Sequence, residues 1–276
     1  MKGETAMAEG SYLMESAQEA ARLEAKTSLE DARAQLDLVG LQPGARALDV
    51  GTGSGAAARV MAELVTPSGQ VIAIDASPAR VEAARALAGA DSPPHLTFQV
   101  GDIFHLPPSC RDADLVWCRF VFEYLTRQAE ALASLARAAR PGGKVVVADI
   151  DGFGLYHDNL PATLAADLQR VHGALEGRFD PHAGRRLFGL FHRQGLQEIR
   201  VHMLPYHFYA GRAPAVALAN WRHRFATLRP LLLTALGDAA RVDDFVGRYL
   251  DFLGDRGTFS YSVLFVAEGL TPSLHR

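Results

Sequence analysis

Between Ala45 and Asp151 the chain alternates short β-branched or apolar runs with longer alanine-rich amphipathic stretches, the pattern of βαβ units that build a parallel sheet. ARALDVG (45–51), QVIAID (70–75), LTFQVGD (96–102), ADLVWC (113–118) and KVVVAD (144–149) predict five strands. Helices are predicted near 55–65, 78–89 and 126–140. The second has a start signal, because Ser77 can cap free amides and Pro78 suits the first helical position. Ahead of this core, residues 14–38 read as one or two amphipathic helices with Leu23, Leu29, Leu36 and Val39 among their apolar positions. Beyond it, 160–176 and 184–194 predict helices, and 199–209 and 258–269 predict strands. The segment 210–257, containing WRHRF, RPLLL and FVGRYLDFL, predicts helices laid over the sheet. The expected organisation is one α/β domain over 1–276: a helical N-terminal cover (1–40), a core (41–151), helices and a strand (152–209), a helical insertion (210–257), and a last strand with its tail (258–276).

Composition narrows the class. With 49% hydrophobic and 21% charged residues the chain can bury enough apolar surface to fold. Its 28 Lys and Arg against 31 Asp and Glu give a net charge of -3, which disfavours a nucleic-acid partner. Two cysteines, Cys110 and Cys118, suggest no disulfide framework. The first thirty residues lack the apolar run of a secretion signal, and no later run approaches ~18 residues, so a cytoplasmic protein without a membrane partner is expected. Scattered histidines and two cysteines give no zinc-ligand spacing, and no G-x-x-x-x-G-K-S/T sequence occurs.

LDVGTGSGAA sets Gly51, Gly53 and Gly55, with Thr52 between them, directly after the first strand, where glycines let backbone approach a ligand closely. Gly51, Gly53 and Ala56 also satisfy the dinucleotide fingerprint, so the loop alone does not separate a dehydrogenase from other nucleoside binders, and a plain strand-to-helix turn is the bland alternative. Asp75 closes the second strand, where a carboxylate can accept both hydroxyls of a ribose. Asp102 closes the third, where it can accept from an adenine amino group while the Ile103 backbone reads the ring. Asp49 within the loop would repel a pyrophosphate but tolerate a cationic sulfonium. For Asp75 and Asp102 the competing reading is a strand-end aspartate that accepts turn hydrogen bonds.

The ordered set LDVGTGSG, VIAIDASP, VGDIFHLP, DADLVWCRFVFEYL and ARPGGKVVVAD resembles the class I S-adenosylmethionine-dependent methyltransferases, most closely their small-molecule branch. The similarity is dense over 40–151 and returns in GRRLFGLFHRQGLQEIRV. It implies a Rossmann-like, doubly wound, seven-stranded and mostly parallel sheet whose last strand is antiparallel. It also implies S-adenosyl-L-methionine as cofactor and S-adenosyl-L-homocysteine as product. By that resemblance the backbone of Gly51 and Gly53 lies against the methionine moiety, Asp75 holds the ribose and Ala76 lies beside the adenine. Asp102 and Ile103 contact the adenine edge, and Cys118 with Arg119 pass near the methionine end. Tyr12, ahead of the N-terminal helix, matches a residue that relatives use as a lid over the cofactor, and its ring face can attract a sulfonium. Tyr124 stands where many relatives have histidine, which removes any role borrowed from that histidine.

Methyl transfer requires in-line positioning, and a general base only if the acceptor starts protonated. Candidates belong beyond the carboxyl ends of the strands and in the helical cover. After the fifth strand, DIDGFGLYHD brings Phe153, Tyr156 and His157 together in what reads as a glycine-rich loop, with His157 the first candidate for a base. Phe122, Phe153, Tyr156, His207, Trp221 and Phe225 are the candidates for walls around an apolar or aromatic small-molecule substrate; an aromatic stripe at helical spacing also serves as core. The alternatives are a nicotinamide-dependent oxidoreductase and a regulatory protein that binds S-adenosylmethionine without turnover.

Overall fold

A computed structural model describes residues 22–24 and 27–273. Seven strands form one sheet: β1 (Arg46–Val50), β2 (Gln70–Asp75), β3 (Leu96–Val100), β4 (Ala113–Arg119), β5 (Ala139–Asp158), β6 (Gln197–Ala210) and β7 (Phe259–Leu270), in the order β3-β2-β1-β4-β5-β7-β6. β1 to β5 run parallel, whereas β7 pairs antiparallel with both β5 and β6. This is the expected Rossmann-like sheet with its antiparallel last strand. Helices α1 (Leu29–Leu38), α2 (Ala56–Val65) and α3 (Pro78–Ala88) supply one apolar layer, in which Leu36, Met61 and Val81 pack near Trp117 and Val146. The opposite layer comes from α4 (Gln128–Ala138) and α6 (Ala183–Arg193), whose Leu135 and Phe191 pack near Val116 and Val145. Between them in the chain lies α5 (Ala162–Ala174).

Because β1 sits between β2 and β4, the chain leaves it in opposite directions on its two sides, and a crevice opens beyond the carboxyl ends of these strands. α7 (Ala215–Thr227), α8 (Arg229–Leu236) and α9 (Ala239–Gly254) join α5 in a separate apolar cluster around Trp221, Phe225, Phe245 and Tyr249. This cluster is the predicted helical cover. Among the described residues no helix is long and apolar enough to cross a membrane.

One expectation is corrected here. The stretch 150–158, read as a glycine-rich loop, continues β5, because β7 is long enough to pair with it through Tyr156↔Tyr261, His157↔Ser260 and Asp158↔Phe259. The glycines host a bulge: the register shifts between Asp151 and Tyr156, with φ of 74° at Gly152 and 65° at Gly154. β6 carries a bulge of its own between Tyr206 and Tyr209, where His207 has a φ of 45°.

Candidate active site

The carboxyl ends of β1, β2, β3 and β4 open into one cavity of about 1090 Å³, ample for a small-molecule ligand. Its walls include Asp49, Gly51, Thr52 and Gly53 from the first strand and its loop, and Asp75 and Ala76 from the second. Asp102 and Ile103 join from the turn after β3, and Arg119 from the end of β4. Gly55 and Cys118 stand outside it. Gly55 caps α2 with a φ of 77°, and a Cβ there would come within 2.8 Å of Phe98, so packing explains that glycine. The Cys118 thiol is buried in β4, and burial, then the charges of Asp149 and Asp49, push its pKa well above the usual thiol range. Tyr12 lies outside the described residues.

The glycine loop spends its own donors. Gly51 and Thr52 N–H donate to the Ile74 carbonyl at 2.8 and 2.9 Å, and Gly55 N–H donates to Thr52 O at 2.9 Å. Gly53 N–H donates to Asp75 Oδ2 at 2.9 Å. Those four amides are closed to a ligand, while Ser54, Ala56 and Ala57 at the start of α2 also line the cavity. At Gly51, where φ is 77°, the close approach is to the chain itself: a Cβ would stand 2.4 Å from Val121 Cγ2. Asp49 Oδ2 accepts from the Thr52 hydroxyl at 2.6 Å, and burial raises its pKa to about 6 against the opposing pull of that bond.

Asp75 Oδ1 accepts from Ser77 N–H at 3.0 Å and from Arg80 Nε at 2.9 Å, so the two amides and one guanidinium fix the carboxylate at the cavity wall. Asp102 is exposed and takes Phe104 N–H at 2.9 Å and His105 Nδ1 at 3.2 Å. It thus serves its own turn and lines the cavity at once.

After β4 the chain turns sharply. Phe120 adopts a φ of 57°, a costly conformation for a bulky residue and one that clusters at functional sites. The Arg119 guanidinium lies 4.6 Å from the Phe120 ring centre; its Nε has no hydrogen-bond partner among the described residues, and burial pulls its pKa down. The following 3₁₀ turn, Phe122–Tyr124, is fastened by the buried Asp149, whose carboxylate accepts from Glu123 N–H at 3.1 Å and Ile150 N–H at 2.8 Å. Burial, then the charge of Glu123, raises the Asp149 pKa well above the carboxylate range. This turn sends Phe122 into the core, fully buried, and brings Glu123 to the cavity wall. Phe120 and Glu123, both in the quoted FVFEYL stretch or beside it, were not among the candidates. The adjacent acid and positive-φ aromatic leave no periodic signal in sequence.

The substrate candidates divide. The two bulges bring Phe153 and His207 to 5.4 Å between ring centres, and Trp221 lies 5.1 Å from Phe153 and 5.7 Å from Phe225. These four form one aromatic cluster under the cover, behind the cavity wall. Phe120, on that wall, meets Tyr206 at 5.1 Å, and Tyr124, also on it, meets Phe179 at 5.5 Å, which reaches Phe153 at 5.6 Å. Tyr156 points elsewhere: its hydroxyl donates to Asp151 Oδ2 at 2.8 Å beside Arg185, and its ring packs on Tyr261. His157 is held by the Gly154 carbonyl at 3.0 Å and lies edge-on to Tyr249 and Phe252. Burial lowers its pKa, and it does not line the cavity.

A family model described as a methyltransferase domain matches residues 41–197. The chain is similar to an uncharacterised 37.1 kDa protein in transposon TN4556 of Streptomyces fradiae, 37% identical over 45% of this chain and 35% of that protein. It is also similar to the ubiquinone/menaquinone biosynthesis C-methyltransferase UbiE of Ectopseudomonas mendocina, 30% identical over 44% of this chain and 48% of that one. The match therefore spans less than half the length of these curated relatives. In three dimensions it resembles the phosphoethanolamine N-methyltransferase 2 of Haemonchus contortus at a TM-score of 0.57 and 18% identity, over 88% of this chain and 53% of that one. That structure was solved with phosphomonomethylethanolamine and S-adenosylhomocysteine.

Proposed function

The chain belongs to the class I S-adenosylmethionine-dependent methyltransferases, and from that premise we propose that it transfers a methyl group to an oxygen, nitrogen or carbon atom of a small acceptor. The observation that carries this reading is the convergence of Asp49, Gly51, Asp75, Asp102 and Arg119 on one cavity. A nicotinamide dinucleotide would bring its pyrophosphate against the buried Asp49 carboxylate there. That carboxylate does not oppose an adenosyl ligand with an amino-acid tail.

The residues present fit S-adenosylmethionine. Asp75 would take the ribose hydroxyls, Asp102 and Ile103 the adenine edge, and Arg119 the methionine carboxylate. A carboxylate has about four acceptor positions, and Asp75 has filled three of them with Gly53, Ser77 and Arg80. Two ribose hydroxyls therefore require one donor to leave, and Arg80, on a flexible stem, is the one that can. The bound cofactor supplies an electrophilic methyl group on a sulfonium. The chain's own work is to exclude water, to orient the acceptor and, for an O–H or N–H acceptor, to take up its proton. Glu123, at the cavity wall and anchored through Asp149, is better placed for that proton than His157, which faces the cover.

Calorimetry tests the reading. S-adenosylhomocysteine should bind at micromolar or lower Kd and NADH should not bind; the opposite order would overturn it. Loss of methyl transfer in Glu123→Gln with retained S-adenosylhomocysteine affinity would support the proton-accepting role.

A further inference from the structure

Arg224, on α7, is 8% exposed. Its guanidinium lies 4.5 Å from the ring centre of Phe153 and 5.6 Å from that of Trp221, and its Nε has no hydrogen-bond partner among the described residues. A guanidinium carries five N–H donors in a fixed fork that matches carboxylate and phosphate. Stacking on rings offsets part of its desolvation, but a buried cation without an acceptor remains costly unless an anion completes it.

The surroundings point the same way. The charges of Arg119, Arg224 and Arg22 act on the Tyr206 hydroxyl, opposed by Glu123, so positive charge prevails around it. Tyr206 packs on Phe120, a wall of the cavity, which sets Arg224 one aromatic layer behind that wall. Tyr249 Oη, in the same aromatic cluster, also lacks a partner among the described residues. At Gly154 a Cβ would lie 3.3 Å from Trp221 and 3.4 Å from the Tyr249 hydroxyl, so both side chains pack directly on the backbone of the β5 bulge.

We propose that Arg224 binds the anionic group, a carboxylate or a phosphate, of an aromatic acceptor that reaches from the cavity into the Phe153–Trp221 cluster. The acceptor class is thus aromatic acids or aryl phosphates, whose ring meets the aromatic walls and whose anion meets the guanidinium. The word acceptor rests on the methyltransferase reading; the anion site rests on the surroundings of Arg224 alone. The cofactor's own carboxylate is the other source of the same chemistry, and it is assigned to Arg119 on the cavity wall.

The test measures binding of 4-hydroxybenzoate, phenyl phosphate and neutral 4-hydroxybenzamide to the full chain and to Arg224→Gln, with and without S-adenosylhomocysteine. The expected result is a preference of tenfold or more for an anionic probe over the amide in the wild type. That preference should vanish in Arg224→Gln while S-adenosylhomocysteine affinity stays within threefold. No preference in the wild type, or one that survives in the variant, would overturn the proposal. So would a variant that loses S-adenosylhomocysteine affinity but keeps that for 5′-methylthioadenosine, which lacks the carboxylate, because Arg224 would then serve the cofactor. If Arg224→Gln does not fold, a wild-type crystal soaked with 4-bromobenzoate decides: bromine anomalous density beside Arg224 supports the site, and its absence there refutes it. Failure of S-adenosylhomocysteine to bind, with the anion preference intact, would count against the methyltransferase reading and not against the anion site.

Discussion

Buried polar groups in the sheet half of the molecule and in the helical cover are treated differently by the fold. Around the sheet, Asp49 takes the Thr52 hydroxyl, Asp75 takes two amides and Arg80, and Asp149 takes the amides of Glu123 and Ile150. Inside the cover, His157 Nδ1, His172 Nδ1, Arg224 Nε and the Tyr249 hydroxyl have no partner among the described residues. Outside the cover Glu24 Oε2, Gln35 Oε1, Trp117 Nε1 and Arg119 Nε share this condition among the described residues, the last two on residues that line the cavity. Buried polar atoms are ordinarily paired, so unpaired ones mark places where something other than the fold supplies the partner. The buried aspartates beside the cavity are completed by their own chain, whereas polar atoms of the aromatic cover are not.

The sharpest way to break this contrast is at Asp75. Removing its carboxylate in Asp75→Ala should weaken S-adenosylhomocysteine binding about a hundredfold, the worth of two hydrogen bonds to a charged group. Calorimetry reads the change, and an unaltered Kd would remove Asp75 from the site.

Next in size is the response of the cover to acid. His172 has its pKa lowered to about 4, chiefly by burial and then by the charges of His182 and His157. The unfolded chain binds that proton near pH 6.5, so stability attached to a neutral His172 is complete above pH 6.5 and is lost as pH falls toward 4. Partial exposure reduces the amount to about 2 kcal/mol. Urea melts of the wild type and His172→Asn between pH 7 and 4.5 should converge as the pH falls; parallel curves would contradict the assignment.

A pair of substitutions addresses the contrast itself. Thr52→Val, which strips Asp49 of its side-chain partner and leaves the Ala58 amide, should cost about 1 to 2 kcal/mol, whereas Tyr249→Phe, which deletes a hydroxyl with no partner among the described residues, should cost nothing or stabilise by up to ~1 kcal/mol. Equal losses in denaturant titrations would erase the distinction between the two halves.

The smallest effect concerns Asp49. With its pKa raised to about 6, the carboxylate is largely neutral at pH 5 and ionised at pH 7. Sulfonium-bearing S-adenosylmethionine should therefore gain a few-fold in affinity over the uncharged thioether S-adenosylhomocysteine across that interval. Asp49→Asn should abolish the gain. For stability the sign is reversed: the unfolded carboxyl ionises near pH 3.8 and the folded one only near 6, so Asp49 lowers stability as pH rises between those values and no further above them.

The parallel sheet was legible because each βα unit writes its pattern locally: β2 and α3 fall on 70–75 and 78–88, and Ser77 and Pro78 start the helix as read. Where structure depends on a distant strand, local reading fails. The extension of β5 past Asp151 is imposed by β7, more than a hundred residues later, and its glycines mimic a loop. The same division holds at the site. Asp49, Asp75 and Asp102 lie at strand ends, where topology alone aims them at a shared crevice. Phe122 against Glu123 is a choice between neighbours in a one-turn helix, decided by the buried Asp149 across the sheet. Arg224, within WRHRF, looks like one more solvated charge until α7 is folded against Phe153.

A crystal structure with S-adenosylhomocysteine is the most direct measurement. The account predicts the nucleoside across the rim of β1, β2 and β3, with both ribose hydroxyls on Asp75, the adenine amino group at Asp102 and the homocysteine carboxylate at Arg119. A nucleoside bound elsewhere, or one whose ribose never touches Asp75, would contradict it.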